Sequence, residues 1–161
     1  MVSTIILNDM NIKHIMPLVA IVLLISCQKE PRPEELVPGA MDFLGTVSVI
    51  SKGETFHNKD KKICFSPSED GTSATLIIYH IKFVPAMPVT IDVTIPNVQI
   101  VREGERVLLA ADNVIPLALG GEYPKYLVTN LTGVQEGDRL DFSLNFGENP
   151  TSFSGTRIIR Q

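Results

Sequence analysis

The chain has 161 residues, 44% of them apolar and 20% charged, with a formal net charge of -4. That length holds one domain with a real core and not two comfortable ones, and the composition excludes a disordered chain. The weak acidic balance excludes a nucleic-acid binder, because phosphate contacts need clustered Lys and Arg.

In chain order, the first feature is an uninterrupted apolar run from Ile15 to Ile25, preceded by Lys13 and His14. A membrane-spanning helix needs about 20 apolar residues, so this run is too short to span and has the length of a signal-peptide core. Asp9 interrupts the basic start that such a signal requires, whereas beginning at Met10 gives the cleaner leader "MNIKHIMPLVAIVLLISC". The natural start is therefore expected at Met10.

The run ends in "LISC", Leu24 to Cys27, and turns at once into charges and prolines. This stretch resembles the lipobox of bacterial lipoproteins, with an aliphatic residue, a tolerated apolar one, a small residue and then cysteine. The resemblance implies cleavage before Cys27, attachment of a diacylglycerol to its sulfur and acylation of the freed amine. Residues 1–26 are then a lipoprotein signal peptide. Several acyl chains together make a durable anchor, since each buried methylene contributes about 0.8 kcal/mol. Residues 27–41 carry prolines at 31, 33 and 38 among charges, so they read as an extended, solvated tether. The absence of Asp after Cys27 implies sorting to the cell outer membrane, and Lys29-Glu30 resembles a surface-export signal of Bacteroides-type bacteria. With Cys27 lipidated, the two-cysteine chain has no disulfide framework. Cys64, in "KKICFSP", reads as a buried, inert thiol on a strand.

From residue 42 to 161 the signal is strand after strand. "FLGTVSVIS" opens the domain. "HNKDKK", with Lys59, Lys61 and Lys62 around Asp60, reads as a solvated loop before the strand "KKICFS". "SEDGTS" suits a tight hairpin at Asp70-Gly71. In "TLIIYHIKF", alternation sets Ile77, Tyr79, Ile81 and Phe83 against Leu76, Ile78, His80 and Lys82. "VTIDVTI" sets Val89, Ile91, Val93 and Ile95 against Thr90, Asp92 and Thr94, and Pro96 is expected to end that strand. Pro85 and Pro88 are expected in a connection. "VQIV", "RVLLAA" and "YLVTNLTGV" follow, separated by turns at Gly104 and Gly137. "RLDFSLNF" then places Leu140, Phe142, Leu144 and Phe146 on one face. The last strand, "SFSGTRII", echoes the "FLGT" of the first. Matching glycines in first and last strands suit two strands that coil and pair to close a sheet.

Eight or nine strands in roughly 120 residues predict an all-β domain, a single antiparallel up-and-down barrel of about eight strands behind a cleaved signal peptide. The lipobox leader, "GTVSV", "FVPAMPVTIDVTIPNV" and the terminal "FSGTRI" together resemble the calycin-like β-barrel lipoproteins of Bacteroides and relatives. The likeness covers about Phe43 to Arg160 and implies a lipocalin-like barrel. It brings no settled activity and no catalytic residues.

No HExxH, CxxC, GxSxG, Walker or EF-hand pattern occurs. No catalytic residue, metal ligand or cofactor is expected, and Asp92 and Asp141 read as solvated strand faces. The candidate ligand contacts are Tyr79 and His80 on one strand, with Tyr123 and Tyr126 in the glycine-containing loop "ALGGEYPKY". Two functions follow. The first is an anchored, non-catalytic barrel that binds a small apolar ligand or lipid. The second is a filled barrel whose surface engages another envelope protein or a glycan. An enzyme ranks third.

Overall fold

Alternating apolar residues produce strands throughout residues 39–159, which are the residues described in the computed structural model. The proposed leader, the Met10 start, Cys27 and the tether up to residue 38 lie outside them. Ten strands form: β1 (Met41–Ser51), β2 (Glu54–Pro67), β3 (Ser73–Ile81), β4 (Ile91–Glu103) and β5 (Arg106–Ala111), then the two-residue β6 (Leu117–Ala118) and β7 (Gly121–Glu122). A 3-10 turn (Pro124–Tyr126) precedes β8 (Val128–Glu136), β9 (Arg139–Phe146) and β10 (Asn149–Ile158).

Every pairing is antiparallel. Eight strands follow one another around a closed barrel in the order β1-β2-β3-β4-β5-β8-β9-β10, and β10 returns to β1. The small β6–β7 hairpin hangs from β4 through Thr94 and Leu117. The two ends differ. Met41 enters the barrel at the end that carries the β2–β3, β4–β5 and β8–β9 turns, and Ile158 leaves there. The opposite end carries the β3–β4 connection and the long passage from Asp112 to Leu127.

Closure depends on the two echoed glycines, which face each other: Gly45 of β1 pairs with Gly155 of β10. A methyl group on Gly45 would overlap the Ser154 carbonyl oxygen and lie 2.5 Å from the Gly155 Cα. The bare backbones thus approach more closely than any side chain permits. The space left inside is taken by the Phe153 and Phe142 rings, 5.4 Å apart, with Gly133 opposite Phe142 making the same allowance on β8.

The inner wall is apolar and full. Phe43, Val47, Ile63, Leu76, Ile78 and Ile95 expose nothing to water, as do Leu140 and Phe146 across the lumen. A water-sized void beside these residues would leave them accessible surface, so the space between them is packed by side chains.

Four register slips break the strict alternation, at Asp60, His80, Asn97 and Asn130, each with a φ of 53–55°. They are bulges, in which two residues oppose one and the side-chain phase moves by one. Asn, Asp and His tolerate this left-handed conformation better than most residues. The slip at His80 explains why the alternation predicted for β3 fails halfway. Ile77 and Tyr79 pack on the outer wall with Cys64, while Ile81 and Phe83 join Leu76 and Ile78 in the core. Pro96 does not end a strand. It lies inside β4 in the Asn97 bulge, where Pro96 and Asn97 face only Thr75 and an unpaired residue needs no amide hydrogen. The expected loop "HNKDKK" is likewise strand, since β2 continues through it by bulging at Asp60. Val89 precedes β4 and is exposed. Cys64 is buried in β2, as its sequence context suggested.

Candidate functional site

Two places concentrate side chains that a ligand could meet: the loop-bearing mouth of the barrel and a groove on its outer wall. At the mouth, Phe83 follows β3 and points inward, and three polar contacts hold its backbone. The Asn58 side chain is buried; its Oδ1 accepts from the Lys82 amide and its Nδ2 donates to the Lys82 carbonyl, each at 3.0 Å. The Phe83 amide donates to the Met87 sulfur at 3.1 Å. The long passage after β5 then folds across the opening, fixed by the Tyr123 amide donating to the Pro116 carbonyl at 2.8 Å.

This brings Tyr126 face to face with Phe83, with ring centroids 4.0 Å apart, and sets Phe146 edge-on to Phe83 at 5.0 Å. Tyr123 stacks behind Tyr126 at 5.2 Å. Both tyrosines pack against the core. Geometries of this kind add about 0.5–1.5 kcal/mol per pair beyond area burial. Tyr123 and Tyr126, expected from the sequence to contact a ligand, therefore form a stopper.

Tyr79 and His80 are far from this mouth in role. Tyr79 lies on the outer wall with the Lys62 ammonium 4.4 Å from its ring centre. His80 occupies a bulge of β3, and the Asp92 carboxylate accepts its backbone amide at 2.8 Å while lying 3.2 Å from its Nδ1. The same device recurs at the Asn130 bulge, whose amide donates to Asp112 at 3.1 Å. Asp92 thus supports the bulge instead of merely facing water. The four candidate residues do not converge: the structure brings Tyr123 and Tyr126 together at the mouth and leaves Tyr79 and His80 outside.

The wall groove arises from strand register. Ser48 of β1 pairs with Ser152 of β10, Ser152 with Ser143 of β9, and Ser143 with Thr132 of β8. All four face outward, because their strand neighbours Val47, Phe153, Phe142 and Leu131 face the core. The next row holds Ile50, Pro150 and Asn145, and Asn145 donates from Nδ2 to the Thr129 hydroxyl at 3.4 Å. The outcome is an open depression of about 390 Å³ on the outer wall. The bulged Asn130 separates it from a second depression of about 470 Å³ over β4, β5 and β8.

No charged residue lines the first depression. The charges of the same strands collect toward the turn-bearing end, as Arg139 with Asp141 (2.6 Å) and Arg106 with Glu136 (3.6 Å). The hydrogen bond from Arg139 holds the Asp141 carboxyl below the usual aspartate range, and Ser68, with Thr72, does the same for Asp70 in the β2–β3 turn. At the rim of the groove Ser48 Oγ and His57 Nδ1 share a hydrogen bond of 2.9 Å. His57 is on a strand, not in the loop expected, and this bond orients the Ser48 hydroxyl. Among the described residues no group of three His, Cys, Asp or Glu side chains is arranged to hold a metal ion.

The sequence alone did not single out Ser48, Ser143, Ser152 or Asn145. Ser143 and Asn145 read only as the wet face of β9, and the row exists because registers on four strands coincide. No protein-family model, no curated protein and no solved structure matches the chain.

Proposed function

We propose that this protein is a non-catalytic envelope lipoprotein, a calycin-like barrel with a filled lumen that presents its outer surface to another component of the cell envelope. The observation that carries this reading is the packed interior. Inner-wall residues on β1, β2, β3, β4 and β9 expose nothing to water, and Phe83 with Tyr126 closes the mouth. Eight strands enclose a lumen just wide enough to be filled by side chains or to hold one small ligand, and here side chains occupy it. This favours surface recognition over a small apolar ligand held inside.

Anchoring rests on the sequence "LISC" and the tether after it. The eight-strand meander is the topology that the calycin-like resemblance implies.

Two measurements test the reading. Metabolic labelling with an alkyne fatty acid should tag the protein and fail for Cys27→Ala; persistent tagging of the variant would remove the anchor. Native mass spectrometry of protein purified from its own host should show the bare lipidated chain. A co-purifying apolar molecule that protects core amides from exchange would replace the filled-barrel reading with the ligand-carrier one.

A further inference from the structure

We infer that the mouth end of the barrel contacts a lipid bilayer, with the tips of the β3–β4 connection and the β6–β7 hairpin inserted at its apolar boundary; this rests on the surface-recognition reading above and names the partner.

Residues 83–91 and 113–121 carry no charge, although one residue in five of the chain is charged. Thr94 pairs antiparallel with Leu117, so the β6–β7 hairpin runs back toward the start of β4. Its tip thereby lies beside the β3–β4 connection. Pro85, Ala86, Pro88, Val89, Leu117 and Leu119 are all exposed there, Val89 by 60% and Leu119 by 74%. Lys82, Asp92, Asp112 and Glu122 flank the two stretches, and Lys52, Glu54 and Glu148 lie at other turns of the same end. An exposed apolar surface bordered by polar residues marks a contact with a protein or a membrane.

Leu119 is also held at a cost. Ala118 pairs with Gly121 across a two-residue loop in which Leu119 and Gly120 have φ of 53° and 83°. This is a type I′ turn, whose first position favours Asn, Asp or Gly because a larger side chain crowds the left-handed backbone. The β1–β2 hairpin has the same turn at Lys52 and Gly53, with φ of 52° and 81°, and there the crowded position holds a charged side chain in water. At Leu119 a large apolar side chain is strained and exposed together. Folding alone gains nothing from that combination.

Three features favour lipid over protein. A stable protein partner uses a shape-matched area of about 800 Å² per side, and two loop tips offer little of it, whereas a bilayer conforms to them. Hydrocarbon penalises unsatisfied amide hydrogens. Pro85 and Pro88 have none, the Met87 amide donates to the Val84 carbonyl at 3.1 Å, and the Phe83 amide donates to the Met87 sulfur at 3.1 Å. Behind the hairpin come the half-buried Tyr123 and Tyr126 and the exposed Lys125, whose ammonium lies 5.7 Å from the Tyr126 ring centre. Tyrosine and lysine are the residues that settle where hydrocarbon meets water.

The test uses the absence of tryptophan from the chain, since a single Trp reports on its own position whatever holds the rest of the molecule. Full-length Leu119→Trp, Val89→Trp and, on the side wall, Thr132→Trp all alter exposed side chains. Each is mixed with vesicles of phosphatidylethanolamine and phosphatidylglycerol that include a phosphatidylcholine brominated on its acyl chains. Emission from Leu119→Trp and Val89→Trp should move to shorter wavelength and lose about half its intensity or more to the brominated chains, while Thr132→Trp stays unchanged. Leu119→Asn, made in the Val89→Trp chain, should restore most of that intensity and raise the thermal midpoint by a few degrees, because Asn suits the turn and not hydrocarbon. A lower midpoint would show that Leu119 serves folding and overturns the inference. Unquenched emission from both mouth reporters overturns it, and so does equal quenching of Thr132→Trp. A shift that follows protein concentration without vesicles assigns the surface to a second copy of the chain and overturns it as well. None of these results touches the filled-barrel reading, which fails only if an apolar ligand is found to perturb the core amides of Phe83 and Leu140.

Discussion

The two halves of the barrel close by different physics. At the seam of β1 and β10 the closing element is backbone: Gly45 and Gly155 meet where no Cβ fits, and Phe153 covers them from inside. At the mouth the closing element is side chain: Phe83, held by Asn58 and Met87, stacks on a tyrosine delivered by a loop. Contact between backbones tolerates no added atom, because nothing there can rotate away. A ring stopper tolerates small changes in its loop but depends on one large apolar residue. The seam thus sets the circumference, and the stopper decides whether the lumen is open.

The sharpest way to break this contrast is Phe83→Ala. Removing a fully buried ring that makes two aromatic contacts should cost about 3–5 kcal/mol. It should also let an apolar dye enter the lumen, read as fluorescence gain alongside the denaturant midpoint. A loss under about 1 kcal/mol with no dye uptake would mean that the loop closes the mouth without this ring.

Gly45→Ala comes next. Its methyl would strike the Ser154 carbonyl and the Gly155 Cα, both backbone, at an expected cost of about 1–3 kcal/mol. Gly121→Ala, with no atom within 4 Å of the new methyl, should stay within about 0.5 kcal/mol. Equal effects of the two in thermal unfolding would show that the seam is not a tight approach.

The smallest expected effect is electrostatic and belongs to the turn-bearing end alone. Asp141 has a folded-state pKa below its unfolded value of about 3.9, through its hydrogen bond from Arg139. Its stabilisation is present above that unfolded value and is lost as pH falls through the folded one. Stability between pH 5 and pH 2 should therefore fall less steeply in Asp141→Asn than in the parent chain. Identical acid limbs in the two proteins would count against the pairing.

Much of the architecture was legible from local pattern. The alternation in "RLDFSLNF" places Leu140, Phe142, Leu144 and Phe146 inside, and the echo of "FLGT" and "FSGT" marks the strands that close the sheet. Those inferences hold because a strand's period of two and glycine's missing side chain are properties of the residues themselves. The candidate contacts were less legible. Tyr126 looks like a recognition ring in a flexible loop, and only the path of that loop back over Phe83 makes it a stopper.

The sequence by itself determined the strand-rich domain, the turn positions and the closing glycines, since each is written within a few neighbouring residues. Tertiary structure decided the rest. Bulges at Asp60, His80, Asn97 and Asn130 shift the phase only in relation to a paired strand, so alternation within one strand cannot reveal them. The serine row of Ser48, Ser152 and Ser143 likewise joins residues about a hundred positions apart, and inter-strand register alone sets them side by side.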